Sequence, residues 1–247
     1  KKYISTVIDV FSDRWEIDGE FFEKDRIQEF DAVFMALHGT PAEDGKIQLI
    51  LDKLEIPYSC CDSSVSWKTF NKSTCNKELR NHGFRCPESI TYKKGDLIDK
   101  TTILNSIGLP CFVKPNASGS SYGISKVKNI SELDESIRIA LEHDRTVLIE
   151  EFIDGTEVSC GVFLNKQNII PLPITEIISE NEFFDYEAKY EGKSKEITPA
   201  NISVTLKEEI QRTTVELYKK MKLRGLCRID FIIKKEIPYI IEINTIP

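Results

Sequence analysis

The C-terminal stretch Cys227-Arg228-Ile229-Asp230-Phe231-Ile232-Ile233, returning through Tyr239 to Thr245, restricts the fold more than any other part of this chain. Period-2 alternation puts Arg228, Asp230 and Ile232 on one face of a strand and Ile229, Phe231 and Ile233 on the other. On the return strand Glu242 and Asn244 share a face. Pairing Ile233 with Tyr239 across the turn Lys234-Lys235-Glu236-Ile237-Pro238 sets Asp230 opposite Glu242 and Arg228 opposite Asn244. Like charges directly across an antiparallel pair destabilise the sheet, so a proton or a cation must resolve them. The oxygen set Asp, Glu and Asn suits Mg²⁺, which takes few protein carboxylates and completes its octahedron with phosphate and water. The alternative is a solvated hairpin face. Against it stands the uniformly apolar opposite face, which demands a well-packed sheet.

The chain has 247 residues, 40% hydrophobic and 30% charged, enough to bury a core and close to the size at which single cores divide. Two or three lobes are therefore expected. With 33 basic against 40 acidic residues the net charge is −7, which disfavours a nucleic acid or an anionic membrane as a partner recruited by bulk charge. No apolar run approaches the roughly 18 to 20 residues that span a bilayer, and Asp9 interrupts the apolar stretch near the N-terminus. Neither a signal peptide nor a membrane anchor is expected. The seven cysteines are odd in number, lack C-x-x-C spacing and sit mostly among apolar neighbours. They read as reduced, buried thiols of a cytosolic protein.

Residues 3–10 and 32–37 read as short buried strands. Ile47, Ile50, Leu51 and Leu54 then supply one helix face, which suggests a small α/β lobe with a parallel sheet whose first strand is absent. Helical stretches follow from Trp67 to about His82, before Gly83, and up to Gly108. A strand at Cys111 to Lys114, a Gly/Ser loop, a helix capped by Ser131 and Asp134, and a strand at Val147 to Phe152 complete a second lobe. A third opens with a hairpin, Val158 to Leu164 and Ile169 to Ile174, and carries a helix from Leu206 to Met221. Between them, roughly 179–203 is a long charged and aromatic segment of the kind that forms functional lids or stays disordered. The expected lobes are 1–66, 67–155 and 156–247.

Four further stretches carry candidate chemistry. The loop Asn116 to Gly123 follows a strand bearing Lys114 and can aim backbone N–H groups and hydroxyls at phosphate. It is not a Walker loop, and a plain surface turn is the alternative. Glu150 and Glu151 end an apolar strand, placed to hold a nucleobase or simply exiting into a charged turn. Phe183 to Tyr190 packs four aromatics into a polar segment with Lys189, as a closing lid requires; a core-packed loop accounts for the aromatics but not for Lys189-Tyr190. His38, at a strand exit, either meets an anionic ligand or is a structural histidine.

Together and in this order the stretches resemble the D-alanine–D-alanine ligase family of the ATP-grasp fold. The matching pieces are Leu37 to Thr40 with Glu43-Asp44-Gly45, Phe70-Asn71-Lys72, Gly108 to Lys126, Val147 to Glu157, Phe183 to Tyr190 with Thr198-Pro199-Ala200, and Cys227 to Asp230 with Glu242 to Thr245. The resemblance implies an α/β (α+β) ATP-grasp architecture: a small Rossmann-like N-terminal lobe followed by two ATP-grasp lobes. It implies that Lys72, Lys114, Ser121 and, from the lid, Lys189 contact ATP. Glu150, the backbone of Glu151, Phe152 and Ile153, and Glu157 receive adenine and ribose. Asp230, Glu242 and Asn244 hold two Mg²⁺ ions, with Mn²⁺ as a substitute. Ser120 and Tyr190 look like members of the hydrogen-bonded set that positions substrate and lid. Arg228 resembles the arginine that stabilises the oxyanion, and His38 the histidine beside the first substrate's carboxylate.

The implied reaction joins two D-alanines through an acylphosphate at the expense of ATP, for peptidoglycan, in the cytoplasm and in a homodimer. A D-alanine–D-lactate or D-alanine–D-serine ligase, or an ATP-binding protein without catalysis, remain alternatives; Lys189-Tyr190 resembles the dipeptide-forming members. Ser118 stands where many members carry an acidic residue. The family pattern further implies a glycine-rich strand-loop ahead of Lys1, and a Gly-Met-Thr segment and a later serine beyond Pro247. On that expectation 247 residues is a lower bound for the working enzyme.

Overall fold

The computed structural model describes residues 3–11, 14–119, 122–179 and 194–247. Three antiparallel sheets organise them. The first is small: β1 (Asp9–Val10), β2 (Trp15–Ile17) and β3 (Glu20–Phe22) in that order. Asp18 and Gly19, at φ 52° and 81°, form the two-residue turn between β2 and β3. Asp-Gly is the strongest short-range hairpin signal a sequence can carry, yet these strands were not among those expected. Residues 3–8 form no strand, and Tyr3, Ile4 and Val7 are exposed. In 32–37 the pairing consists of one parallel bridge, Val33 to Tyr58, in place of the expected parallel sheet. Val33 N donates to Pro57 O at 2.8 Å and Ser59 N to Val33 O at 3.1 Å, and the ladder stops there because Met35 N donates to the Ser59 hydroxyl at 2.9 Å instead of to backbone. Helix α1 (Lys46–Lys53) packs Ile47 and Leu51 on Trp15, Phe22, Ile27 and Met35, and Ile246 from the far end of the chain joins them.

The expected helix from Trp67 to His82 is two helices, α2 (Ser63–Phe70) and α3 (Lys72–Asn81). Asn71 divides them because its Oδ1 accepts from Thr74 N at 3.0 Å, an N-cap that starts α3 afresh. Strands β4 (Ser89–Lys93), β5 (Cys111–Pro115), β6 (Ser125–Val127) and β7 (Thr146–Glu151) form the second sheet in the order β4-β7-β5-β6. Helix α4 (Lys100–Ser106) adds Ile103 to its core, and α5 (Leu133–His143) covers it with Leu133, Ile137 and Ala140. The capping box belongs to Asn129 and Glu132, not to Ser131 and Asp134. A short 3-10 turn, Ile130–Glu132, precedes α5, which moves the start of the helical run upstream.

The third sheet runs β10 (Ser194–Ile197), β9 (Asn168–Ser179), β8 (Thr156–Asn165), β11 (Leu226–Lys234), β12 (Ile237–Asn244). Helix α6 (Val204–Lys220) lays Leu206, Ile210, Leu217 and Tyr218 against Val158, Cys160, Val162, Ile229 and Phe231. Val65, Cys75, Leu79 and Cys86, from α2, α3 and the loop after it, join this same core. The N-terminal segment is seated at Gly225, φ 65°, where an added Cβ would stand 2.0 Å from Ser59 O. Only glycine permits that approach. All seven cysteines are free and buried.

Candidate active site

The β11–β12 hairpin decides the site. Its turn is Lys235-Glu236, both at positive φ (50° and 61°), and is thus three residues tighter than the expected five-residue turn. Ile233 accordingly pairs with Pro238, one residue off the expected partner. A bulge between Asp230 and Phe231 inserts one extra residue on β12 and cancels the slip. Asp230 therefore faces Glu242, and Arg228 faces Asn244, as the alternation required.

Arg228 donates from Nε to Asp230 Oδ1 at 2.8 Å and from Nη2 to Oδ2 at 3.0 Å. Asn244 Nδ2 donates to the same Oδ2 at 2.8 Å. Burial works against the guanidinium's charge, but Asp230, with Glu242 and Glu43 beyond it, more than compensates and holds Arg228 protonated beyond its ordinary range. Glu157 pairs with Ile232 on β11, so it lies on the face of Asp230. Among the described residues no three His, Cys, Asp or Glu side chains form a metal cluster. The set here is two carboxylates and an amide on adjacent strands, hard oxygen donors whose remaining positions would fall to phosphate and water. That composition fits Mg²⁺.

Lys72, the first residue of α3, reaches the same place: its Nζ lies 3.8 Å from Glu242 Oε1 and donates to Ser118 O at 2.7 Å. Lys72 N also donates to Asn116 O, and Ser73 N to Asn116 Oδ1, both at 2.9 Å, so the loop after β5 is fastened to α3. Lys114 pairs across the sheet with Leu148, one pleat from Glu150, which puts Lys114 and Glu150 on one face as a buried ion pair. Asn76 Nδ2 donates to the other oxygen of Glu150 at 3.3 Å. Beyond the strand, Phe152 packs on Phe112 and carries Lys126 Nζ 4.0 Å from its ring centre, while Ile153 is buried. Glu151 N donates to Glu88 O at 2.9 Å, which ties the end of β7 to the residue ahead of β4.

His38 Nδ1 stands 3.5 Å from Oε1 of Glu43, a residue that sequence reading placed in a matching stretch without a role. Glu43 is buried, and burial pushes its carboxyl above the ordinary range, against the pull of His38 and with a further push from Glu242. The spacing of five from His38 was the available signal; only folding shows that the turn at residues 39–45 brings the two together. His38, Glu43, Gly119, Arg228, Glu242 and Asn244 line one cleft of about 480 Å³. An adjoining groove of about 870 Å³ shares His38, Phe70 and Gly119 and adds Trp67, Ser118 and Tyr122. Ser120, Ser121, Lys189 and Tyr190 lie outside the described residues.

The structure thus brings His38, Arg228, Glu242 and Asn244 onto one cleft, with Asp230 held by Arg228 and Asn244 and Lys72 beside Glu242, and pairs Lys114 with Glu150 on the neighbouring sheet. Residues 10–61 match the family model described as the D-ala D-ala ligase N-terminus, and residues 79–247 the D-ala D-ala ligase C-terminus. A protein of Flavobacterium johnsoniae named D-alanine–D-alanine ligase is 50% identical over 218 residues, 88% of this chain and 68% of its own length. A D-alanine–D-alanine ligase of Phocaeicola vulgatus is 41% identical across 100% of this chain and 81% of its own. The solved D-alanine–D-alanine ligase of Bacillus anthracis complexed with ATP superposes with a TM-score of 0.78 at 31% identity, covering 91% of this chain and 72% of that one. VanG D-Ala:D-Ser ligase of Enterococcus faecalis gives 0.77 at 31% identity, over 98% of this chain and 71% of its own. The mixed α/β architecture is that of the ATP-grasp fold, and the chain belongs to the D-alanine–D-alanine ligase family.

Proposed function

We propose that this chain joins two D-alanines to D-alanyl-D-alanine, an ADP-forming ligation that supplies peptidoglycan synthesis. The observation that carries the proposal is the half-buried fork of Arg228 on Asp230, with Glu242 opposite Asp230 and His38 on the same cleft as Arg228. Relatives named D-alanine–D-alanine ligase, which reach 50% identity with this chain, support the reading with D-alanine as both substrates.

In this reading His38 receives the carboxylate of the first D-alanine. That carboxylate attacks the γ-phosphorus of ATP, the bond to the β–γ bridging oxygen breaks, and ADP leaves an acylphosphate. The amine of the second D-alanine then adds to the acyl carbon. It loses a proton, the tetrahedral intermediate expels inorganic phosphate, and a peptide bond remains. Arg228 stabilises the oxyanion of that intermediate, with Ser120 and Tyr190 positioning substrate. Lys72, Lys114, Ser121 and Lys189 take the phosphates; Glu150, Glu157 and the backbone of Glu151, Phe152 and Ile153 take adenine and ribose. Mg²⁺ held by Asp230, Glu242 and Asn244 would supply charge neutralisation between the two anions. A fixed donor such as Arg228 is worth several kcal/mol in such a site.

Lobes at 1–66, 67–155 and 156–247, a homodimer, and a cytoplasmic location belong to the same reading. The family supports the dimer, and the demand for ATP together with seven free buried thiols supports the compartment. No helix among the described residues is long and apolar enough to cross a membrane.

The protein is incubated with ATP, Mg²⁺ and D-alanine, with and without D-lactate or D-serine, while phosphate release and product mass are followed. D-alanine-dependent phosphate and a D-alanyl-D-alanine mass are expected. ATP binding without such release overturns the proposal, and a mixed product reassigns the second substrate.

A further inference from the structure

Glu43 has no part in the chemistry above, yet the fold places it where a bystander would be costly. It is 8% exposed, and among the described residues its buried Oε1 has no hydrogen-bond donor. Burying a carboxylate this way is unfavourable unless a charge answers it. The group that answers is the imidazole of His38, Nδ1 to Oε1 at 3.5 Å, on a side chain that is itself 52% exposed and lines both cavities of the site. The backbone prepares this approach: Glu43 N donates to Gly39 O at 2.8 Å, which folds residues 39–43 back beneath the histidine. An imidazole with a carboxylate on one ring nitrogen is held in one orientation.

We propose that Glu43 is the positioning residue of the first-substrate subsite. It anchors the His38 ring through Nδ1, so that the imidazole is presented to the carboxylate of the first D-alanine. This rests on the ligase reading, in which His38 receives that carboxylate. Glu43 does not touch substrate; it acts through His38.

The test is a double-variant cycle on full-length protein, with D-alanine and ATP varied separately in the phosphate-release assay. Glu43→Gln and His38→Gln should each raise the D-alanine concentration for half-maximal rate about ten- to hundredfold, the worth of a hydrogen bond to a charged group. The KM for ATP should stay within about twofold and kcat should fall far less than KM rises. Because both variants remove one device, the double variant should be no worse than the poorer single. Glu43→Asp keeps the charge and shortens its reach, so it should raise the same KM and serves the cycle if Glu43→Gln does not fold. An unchanged D-alanine KM in Glu43→Gln or Glu43→Asp overturns the proposal. So do effects that multiply in the double variant, which would mean direct contact with substrate, and an equal rise in both KM values with a lowered melting temperature, which would mean a structural role. If the wild type itself releases no D-alanine-dependent phosphate, the ligase reading fails before the cycle begins.

Discussion

Arg228 grips Asp230 two residues ahead of it on the same strand, Nε to Oδ1 at 2.8 Å and Nη2 to Oδ2 at 3.0 Å. Strand period brings the two side chains to one face, and the planar fork of arginine matches the carboxylate in a way that lysine cannot. Arg228→Lys keeps the charge and loses the fork. Its turnover should fall by about 10²-fold, with thermal stability little changed. Asp230→Asn should shift the Mg²⁺ dependence of phosphate release to higher concentration, and an unchanged titration would remove Asp230 from the metal site.

The Lys114–Glu150 pair is buried on the central sheet. Removing one partner leaves an uncompensated charge, so Lys114→Met or Glu150→Gln should destabilise the protein by about 3–5 kcal/mol. Replacing both with apolar residues should restore most of the melting temperature without restoring ATP binding. Calorimetry and nucleotide titration separate the two effects.

Glu43 has its carboxyl pushed up on folding by burial. The native state then holds the proton longer than the unfolded chain, so stability is lost as pH rises from the ordinary carboxylate value through the raised one. Glu43→Gln removes that loss. Its melting temperature should exceed the wild type's at neutral pH, and the difference should vanish below about pH 4. A variant that is more stable yet binds D-alanine worse would mark a residue kept for binding.

Burial raises the Cys75 thiol to about 12 and those of Cys86 and Cys111 to about 11. The thiolate is the reactive form, so native protein at mildly alkaline pH should resist alkylation at these positions. All seven cysteines should label once the chain is unfolded, as counted by mass spectrometry.

Lys235 and Glu236 both sit at positive φ in the β11–β12 turn. That conformation costs a residue with a Cβ about 1–2 kcal/mol. Glu236→Gly should relieve part of it and raise the melting temperature by about 2–4 °C, with turnover unchanged.

What could be read along the chain was local and periodic. The alternation of Arg228, Asp230 and Ile232 against Ile229, Phe231 and Ile233 determined the faces of β11, because a strand sorts its side chains by a period of two wherever it is buried on one side. The apolar stripe of α1 and the thiol character of the cysteines were legible for the same reason: each follows from near neighbours. The boundary between α2 and α3 was legible too, had Asn71 been read as a cap.

Register and convergence were not. The tight turn and the bulge each shift β12 by one residue in opposite senses, and nothing in the spacing of Asp230 and Glu242 distinguishes that from a five-residue turn with no bulge. The nearness of Lys72 to Glu242 and of Lys114 to Glu150 depends on which sheets and helices pack together. Those contacts span 170 and 36 residues of chain, and only the tertiary structure decides them, because burial of apolar faces chooses the packing and the polar groups of the site are carried to wherever it leaves them.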